Sequence, residues 1–415
     1  MSSSDPRLKP GHYDNRLAID GGVPCLAKPV VLRHVWPPIA QNLVTELLDD
    51  GRLSRFYGGP LSRRFESEFA VAQGQTAGVA VNSGTSALHI CYRLRDPTPG
   101  DEVVFPAHAY VSALTAALEL DTVPILCDVE PDGYSMDPTA LGACLSERTR
   151  LVVPVHMYGR PADVPRISAV LRQNGCDAAI VEDCGQGHGA EFDGTPIGSY
   201  SDASAWSFYE IKHVSTGEGG MGLFRFEADA ERARSLCHKG KGMGWWEYRE
   251  SGFSYPMTEL QAAAGLASMQ VYEERVSLRR AIEEHYQQAL SDCPGLEVPV
   301  LRPGRVSGAF KTPIRVTRKN ANRLGRFIEA CQAENLPVQL GYPALHRIEW
   351  IARRRHRAWA MYSGARSPGD DASLPVATDL HERTFNVATG PGFELETARL
   401  VARGIRKVAS RGLAP

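Results

Sequence analysis

Ala203-Ser-Ala-Trp-Ser-Phe-Tyr-Glu-Ile-Lys212-His-Val-Ser-Thr-Gly-Glu-Gly-Gly220 carries an apolar, strand-like run, Ala203 to Tyr209, into a single lysine and then into small residues that tolerate unusual backbone. A lysine just past a buried strand is poorly explained by packing. An ammonium without a partner is costly to bury, and its usual escape is loss of the proton. A neutral amine is a nucleophile toward carbonyl compounds. Read alone, Lys212 is better taken as a strand-end lysine turned to solvent. Its neighbours along the chain decide otherwise.

Outward from this stretch, short apolar runs bounded by turn residues recur at 79–82, 102–106, 123–129, 151–156, 178–183, 203–209 and 220–226, with helical patterns between several of them. Seven buried strands alternating with helices predict an α/β fold: a mainly parallel seven-stranded sheet covered on both faces. Such sheets bind ligands beyond the carboxyl ends of their strands. A helix is expected from Ile39, closed by Gly51, and another over Leu61 to Ala72. Past Tyr255, one long helical pattern runs from Thr258 to about Leu290. A strand over Phe310 to Val316, a helix from Asn322 to about Asn335 and a closing helix from Glu394 then form a smaller C-terminal α/β domain. The organisation expected is an N-terminal arm over 1–38, a large domain over 39–270 and a small domain over 271–415.

The chain has 415 residues, 43% hydrophobic and 23% charged, which suits a soluble globular protein. A net charge of -2 gives no electrostatic reason to expect nucleic acid or an anionic membrane as partner. The nine cysteines are odd in number, scattered and without a C-x-x-C pair, which argues for reduced thiols in a cytoplasm and against a zinc site. No metal site is expected. No apolar run is long enough to span a bilayer.

Three further pieces fall at strand ends. Asn82-Ser83-Gly84-Thr85-Ser86-Ala87-Leu88 opens a helix directly after a strand; free amides, a glycine and hydroxyls there make a phosphate seat, though an ordinary N-cap looks the same. Ile180-Val-Glu-Asp183-Cys-Gly-Gln186-Gly-His188-Gly189 places a carboxylate at the end of a buried strand, where it must be paired or protonated. Pairing with a pyridinium nitrogen would keep that nitrogen protonated and let a pyridoxal phosphate (PLP) ring accept electrons, with Gln186 near its phenolic oxygen. Phe105-Pro-Ala-His-Ala-Tyr110 offers an aromatic ring to stack on a flat heterocycle, and Ser207 a further hydroxyl for the phosphate. Each has a plain structural alternative: an N-cap, a strand-end ion pair, a core aromatic, a strand serine.

Taken together the blocks resemble the DegT/DnrJ/StrS family of PLP-dependent aminotransferases, which make amino sugars and aminocyclitols on the aspartate-aminotransferase-like (type I) fold. The likeness runs from about Leu17 to the C-terminus, through Gly-Thr-Ser-Ala-Leu at 84–88, Pro154-Val-His-Met-Tyr-Gly159, Glu182-Asp-Cys-Gly-Gln-Gly-His-Gly-Ala190, and Ser207-Phe-Tyr to Gly217-Glu-Gly-Gly220. It implies that Lys212 holds the coenzyme covalently and shuttles the proton between Cα and C4′, that Asp183 pairs with the pyridine nitrogen, Gln186 contacts the phenolic oxygen and Tyr110 stacks on the ring. Gly84, Thr85 and Ser207 would bind the phosphate. The family usually reads Gly-x-Asn-Tyr-Arg where this chain has Gly252-Phe-Ser-Tyr-Pro-Met257, so Ser254 replaces an asparagine that reaches the other subunit's phosphate and Pro256 replaces a charge. Relatives that became dehydratases carry histidine in place of the lysine; Lys212 argues against that chemistry.

For the substrate, polar and aromatic residues at the mouth are candidates by type and family position: His156, Trp245, Trp246, Tyr342 and His346, with the tryptophans equally suited to a dimer contact. The resemblance implies a homodimer that aminates a keto-cyclitol or keto-sugar in antibiotic pathways, with L-glutamine or L-glutamate as donor; nucleotide-linked 3- or 4-keto sugars are the alternative acceptors. Two other classes are elimination or racemisation on the same coenzyme, and a non-catalytic ligand-binding relative. The latter predicts a lost lysine or aspartate, and both are present.

Overall fold

The computed structural model of the chain describes residues 16–54, 58–242, 244, 246–361 and 369–413. Seven short apolar strands form the central sheet: β1 Ala77–Val81, β2 Glu102–Pro106, β3 Val123–Cys127, β4 Thr149–Val152, β5 Ala179–Asp183, β6 Ala203–Ser207 and β7 Gly220–Phe224. Their order is β1-β7-β6-β5-β4-β2-β3, and every pairing is parallel except the two made by β7. This is the mainly parallel sheet expected, each strand within three residues of its predicted start.

The pleat sorts the apolar side chains onto two faces. Val79 and Val81 of β1 and Ala203 and Ala205 of β6 join one core. Ala80, Trp206, Met221 and Leu223 join the other, beneath the helices Pro60–Ala72 and Glu259–Met269. There Phe69 meets Trp206 and Phe208 edge to face, with centroids 5.3 and 4.9 Å apart, contacts worth about 0.5–1.5 kcal/mol each beyond area burial. The same packing fixes where β6 stops and the lysine loop starts.

Helix Ile39–Asp50 ends on Gly51 at φ 71°, the left-handed cap a glycine supplies. The single long helix expected past Thr258 is instead two, Glu259–Met269 and Tyr272–Leu290. Val271 leaves helical geometry at φ -121°, ψ 17°, because β-branched Val271 sits where the chain turns away from the sheet. Four antiparallel strands follow, in the order Leu296–Glu297, Lys311–Val316, Thr384–Ala388, Val338–Leu340. Helices Tyr272–Leu290, Leu324–Ala333 and Leu395–Gly412 pack on them around a core that includes Ile314, Phe327 and Phe385. The stretch expected as a helix from Asn322 begins as a 3₁₀ segment, Arg318–Arg323.

Residues 17–38 run as a strap over this second core, with Leu17 and Leu26 buried in it. Glu334 pins the strap: its carboxylate accepts the amides of Ala18 (2.9 Å) and Cys25 (2.8 Å) and pairs with Lys407 (2.9 Å).

Candidate active site

The carboxyl ends of β1, β5 and β6 converge on a cleft of about 460 Å³ whose lining includes Gly84, Asp183, Gln186, Ser207 and Lys212, with Tyr110 and Tyr342 on its walls. Lys212 is 8% exposed. It sits in a tight turn, its amide donating to the Tyr209 carbonyl at 2.9 Å, and Phe208 and Thr216 close the loop by bonding Gly219 and each other. Its Nζ lies 4.2 Å from the centroid of the Phe310 ring and makes no ion pair with any described residue. Burial pushes the amine down to about 7, helped by Lys311 and Arg279 and opposed by Asp183.

Asp183 ends β5 and is almost wholly buried. Its Oδ1 accepts the Gly185 amide at 2.9 Å. Burial raises its pKa against that hydrogen bond and the field of Lys212. A buried carboxylate in this condition is stabilised by a cation brought to it.

Gln186 is oriented by a residue absent from the sequence candidates. Tyr158 stands at φ 59°, a strained position for a non-glycine residue, and from there its amide donates to Gln186 Oε1 at 2.8 Å. With the oxygen so engaged, the amide N–H groups of Gln186 are left for the cleft. The Tyr158 hydroxyl in turn accepts the Tyr342 amide at 3.1 Å, which ties the second sheet's loop to the same wall.

Gly84 begins helix Gly84–Arg93, capped by Ser83, whose Oγ accepts the Ser86 amide at 3.1 Å. The amides of Gly84 and Thr85 precede any intrahelical acceptor and line the cleft. A Cβ on Gly84 would fall 2.8 Å from Ser207 Cβ, so glycine is needed for β6 and the helix to approach this closely. His188 supports the end of β6 from behind, its Nε2 bonding the Ser207 carbonyl at 2.9 Å while its ring stacks on His213. Tyr110 is half exposed, 6.0 Å edge to face from Tyr342.

The sequence model of the DegT/DnrJ/EryC1/StrS aminotransferase family matches residues 39–406. The chain belongs to that family. It is a PLP-dependent aminotransferase. The chain is 34% identical over 389 residues to the UDP-N-acetyl-3-dehydro-alpha-D-glucosamine 3-aminotransferase of Acidithiobacillus ferrooxidans, covering 92% of this chain and 98% of that one. To the L-glutamine:2-deoxy-scyllo-inosose aminotransferase of Streptomyces paromomycinus it is 30% identical over 397 residues, covering 89% and 92%. Among solved structures, the aminotransferase TlmJ from Streptoalloteichus hindustanus superposes with a TM-score of 0.80 at 28% identity, over 92% of this chain and 99% of that one.

The residues of this aminotransferase's cleft fit the coenzyme. An amine held near neutrality, a buried carboxyl lacking a cation, and open helix amides beside a glycine-tight strand meet in one cavity. Two substrate candidates are corrected. His156 is fully buried, with Nε2 bonded to Glu182 Oε2 at 3.0 Å and Nδ1 accepting the Ala162 amide at 3.1 Å, so it braces the strand ends and does not line the cleft. His346 is likewise turned inward, its Nε2 within hydrogen-bond distance of Asp371 (3.1 Å) and Thr378 (3.0 Å). Trp246 is 76% exposed and outside the lining, with the Lys241 ammonium 5.9 Å from its ring. Trp245 lies outside the described residues. Ser254 is exposed, takes a 3.2 Å hydrogen bond from Lys239 Nζ and does not line this chain's own cleft. Phe310, under the lysine, was not among the sequence candidates; its only signal was an aromatic residue at the start of a distant strand.

Proposed function

We propose that the enzyme aminates the ketone of a polyhydroxylated ring, a keto-cyclitol or keto-sugar, with L-glutamine or L-glutamate as donor, in secondary metabolism. The observation that carries the reading is the placement of the Lys212 amine and the Asp183 carboxyl in one cleft beside the Gly84 helix start. When bound there, PLP supplies an electron sink for the Cα–H bond that breaks. Asp183 pairs with the pyridine nitrogen and holds the proton on it. Lys212 would hold the coenzyme through its amine and, as a free amine, would carry the proton taken from the donor's Cα. Gln186 donates to the phenolic oxygen, Tyr110 covers the ring, and the Gly84 and Thr85 amides with the Ser207 hydroxyl take the phosphate.

Two relatives at 30% identity or above bracket the acceptor, one named for a cyclitol and one for a UDP-linked sugar. A keto-cyclitol or keto-sugar is the first reading because the opening Leu17-Ala-Ile-Asp-Gly-Gly-Val-Pro resembles relatives that aminate cyclitols or modified antibiotic sugars; a nucleotide-linked 3- or 4-keto sugar is the second reading. We also propose a cytoplasmic homodimer: the described cysteines are all free thiols, and Ser254 is exposed and outside the lining of its own cleft. The test is to load the enzyme with nitrogen from L-glutamine or L-glutamate and offer a panel of keto-cyclitols and keto-sugar nucleotides. Aminated cyclitol by mass spectrometry is expected. Turnover of nucleotide sugars alone replaces the first reading with the second, and absence of any donor half-reaction points to elimination or racemisation.

A further inference from the structure

The cleft presents few charges. Its lining holds one basic side chain, Lys212, and two acidic ones, Asp183 and Glu218. Lys212 is committed to the coenzyme and Asp183 to its ring nitrogen, so an anionic substrate entering this cleft meets the Glu218 carboxylate and no lining cation to receive it.

Lys311 stands just behind the wall. It is the first residue of strand Lys311–Val316 and follows Phe310, the ring beneath Lys212. Its Nζ lies 5.3 Å from the Tyr342 ring centroid and 6.0 Å from that of Phe310, and both rings line the cleft. Because both ammonium groups lie against the Phe310 ring, their nitrogens are within about 10 Å of each other. The polar partner of Lys311 is neutral, the side-chain oxygen of Gln339 at 3.0 Å, and no described carboxylate lies within salt-bridge distance of it. Burial lowers its pKa, a cost that an arriving anion relieves.

We propose that Lys311 is the residue that binds the α-carboxylate of the amino donor. In an α-amino acid that carboxylate carbon lies roughly 2.5 Å from the reacting nitrogen, and a charge-assisted hydrogen bond spans a further ~2.8 Å. The flexible stem of Lys311 covers the remaining distance by leaving Gln339. The faces of Phe310 and Tyr342, each within 6.0 Å of the ammonium, flank it as it moves. The assignment rests on the aminotransferase reading of the cleft but not on the identity of the donor's side chain, since every α-amino acid carries this group.

The experiment is a rapid-mixing absorbance titration of the PLP-loaded enzyme, wild type against Lys311→Gln and Lys311→Arg. Donors are L-glutamine, L-glutamate and a panel of other common L-amino acids, with L-isoglutamine, whose α-carboxylate is an amide, as control. Lys311→Gln should weaken the apparent donor Kd by roughly tenfold to a hundredfold and abolish the preference for L-glutamine or L-glutamate over L-isoglutamine. Lys311→Arg should restore most of both. Both variants should retain the covalent coenzyme band. Unaltered donor binding in Lys311→Gln overturns the assignment, as does a loss confined to the acceptor half-reaction, which would place a substrate phosphate at this lysine. A donor other than glutamine or glutamate, still sensitive to Lys311, would refute the proposed donor and leave the lysine's role standing.

Discussion

Lys212 is unusual less for being buried than for being buried without a counter-charge. Its amine is pushed from 10.5 down to about 7 when folded. Between those two values the unfolded chain binds the proton and the folded chain does not, so the coenzyme-free protein gains stability as pH rises from about 7 to about 10.5, by a few kcal/mol. Below pH 7 the ammonium is buried at full cost. Urea midpoints of the coenzyme-free protein from pH 6 to 10 should show this rise relative to Lys212→Met, which should be the more stable of the two at pH 6; parallel curves would mean the lysine is not desolvated. With PLP, Lys212→Ala should lose the coenzyme's covalent absorbance band and turnover by roughly a thousandfold or more. Asp183→Asn should keep the coenzyme yet lose about a hundredfold or more in turnover, since an amide cannot hold the ring nitrogen protonated.

At the scale of elements, the start of helix Pro60–Ala72, which packs beneath the central sheet, is held by a distant carboxylate. Glu259, the first residue of helix Glu259–Met269, accepts the amides of Gly59, Leu61 and Ser62 and the Ser62 hydroxyl, and so caps helix Pro60–Ala72 from another element. Removing it leaves buried donors unpaired. Glu259→Ala should therefore destabilise by about 2–3 kcal/mol in equilibrium urea unfolding; a change below about 0.5 kcal/mol would show the cap to be dispensable. Gly84→Ala acts differently, because the added methyl meets β6 at Ser207 and separates the two elements proposed to seat the phosphate. Its coenzyme affinity should fall about tenfold or more in a fluorescence titration while the unfolding midpoint moves little.

For the whole molecule, three cores organise the chain, one on each face of the central sheet and one under the antiparallel sheet, with the strap of residues 17–38 laid across the last. Among the described residues no helix is long and apolar enough to cross a membrane. Ser254, outside its own cleft, and the exposed Trp246 are the features a second subunit would use. Light scattering should return twice the 45.3 kDa chain mass; a monomer at micromolar concentration would remove the shared-site reading.

The residues that line the cleft are legible in the sequence because each follows a short buried strand, and strand ends can be read from apolar runs and turn residues alone. Lys212, Asp183, Gln186, Gly84 and Ser207 all lie within a few positions of such an end and line one cleft. The split of the long helix at Val271 and the inward turn of His156 and His346 were not legible. Nor were Phe310 beneath the lysine, Tyr158 behind Gln186 and Lys311 at the wall. Local sequence determines which segments extend and where they stop, since that is set by side-chain period and backbone permissiveness. Which side chains come to lie against those ends, Tyr158 from 28 residues before Gln186 or Phe310 from 98 after Lys212, is decided only by tertiary packing, because those contacts are made by close packing and desolvation between segments that share no local pattern.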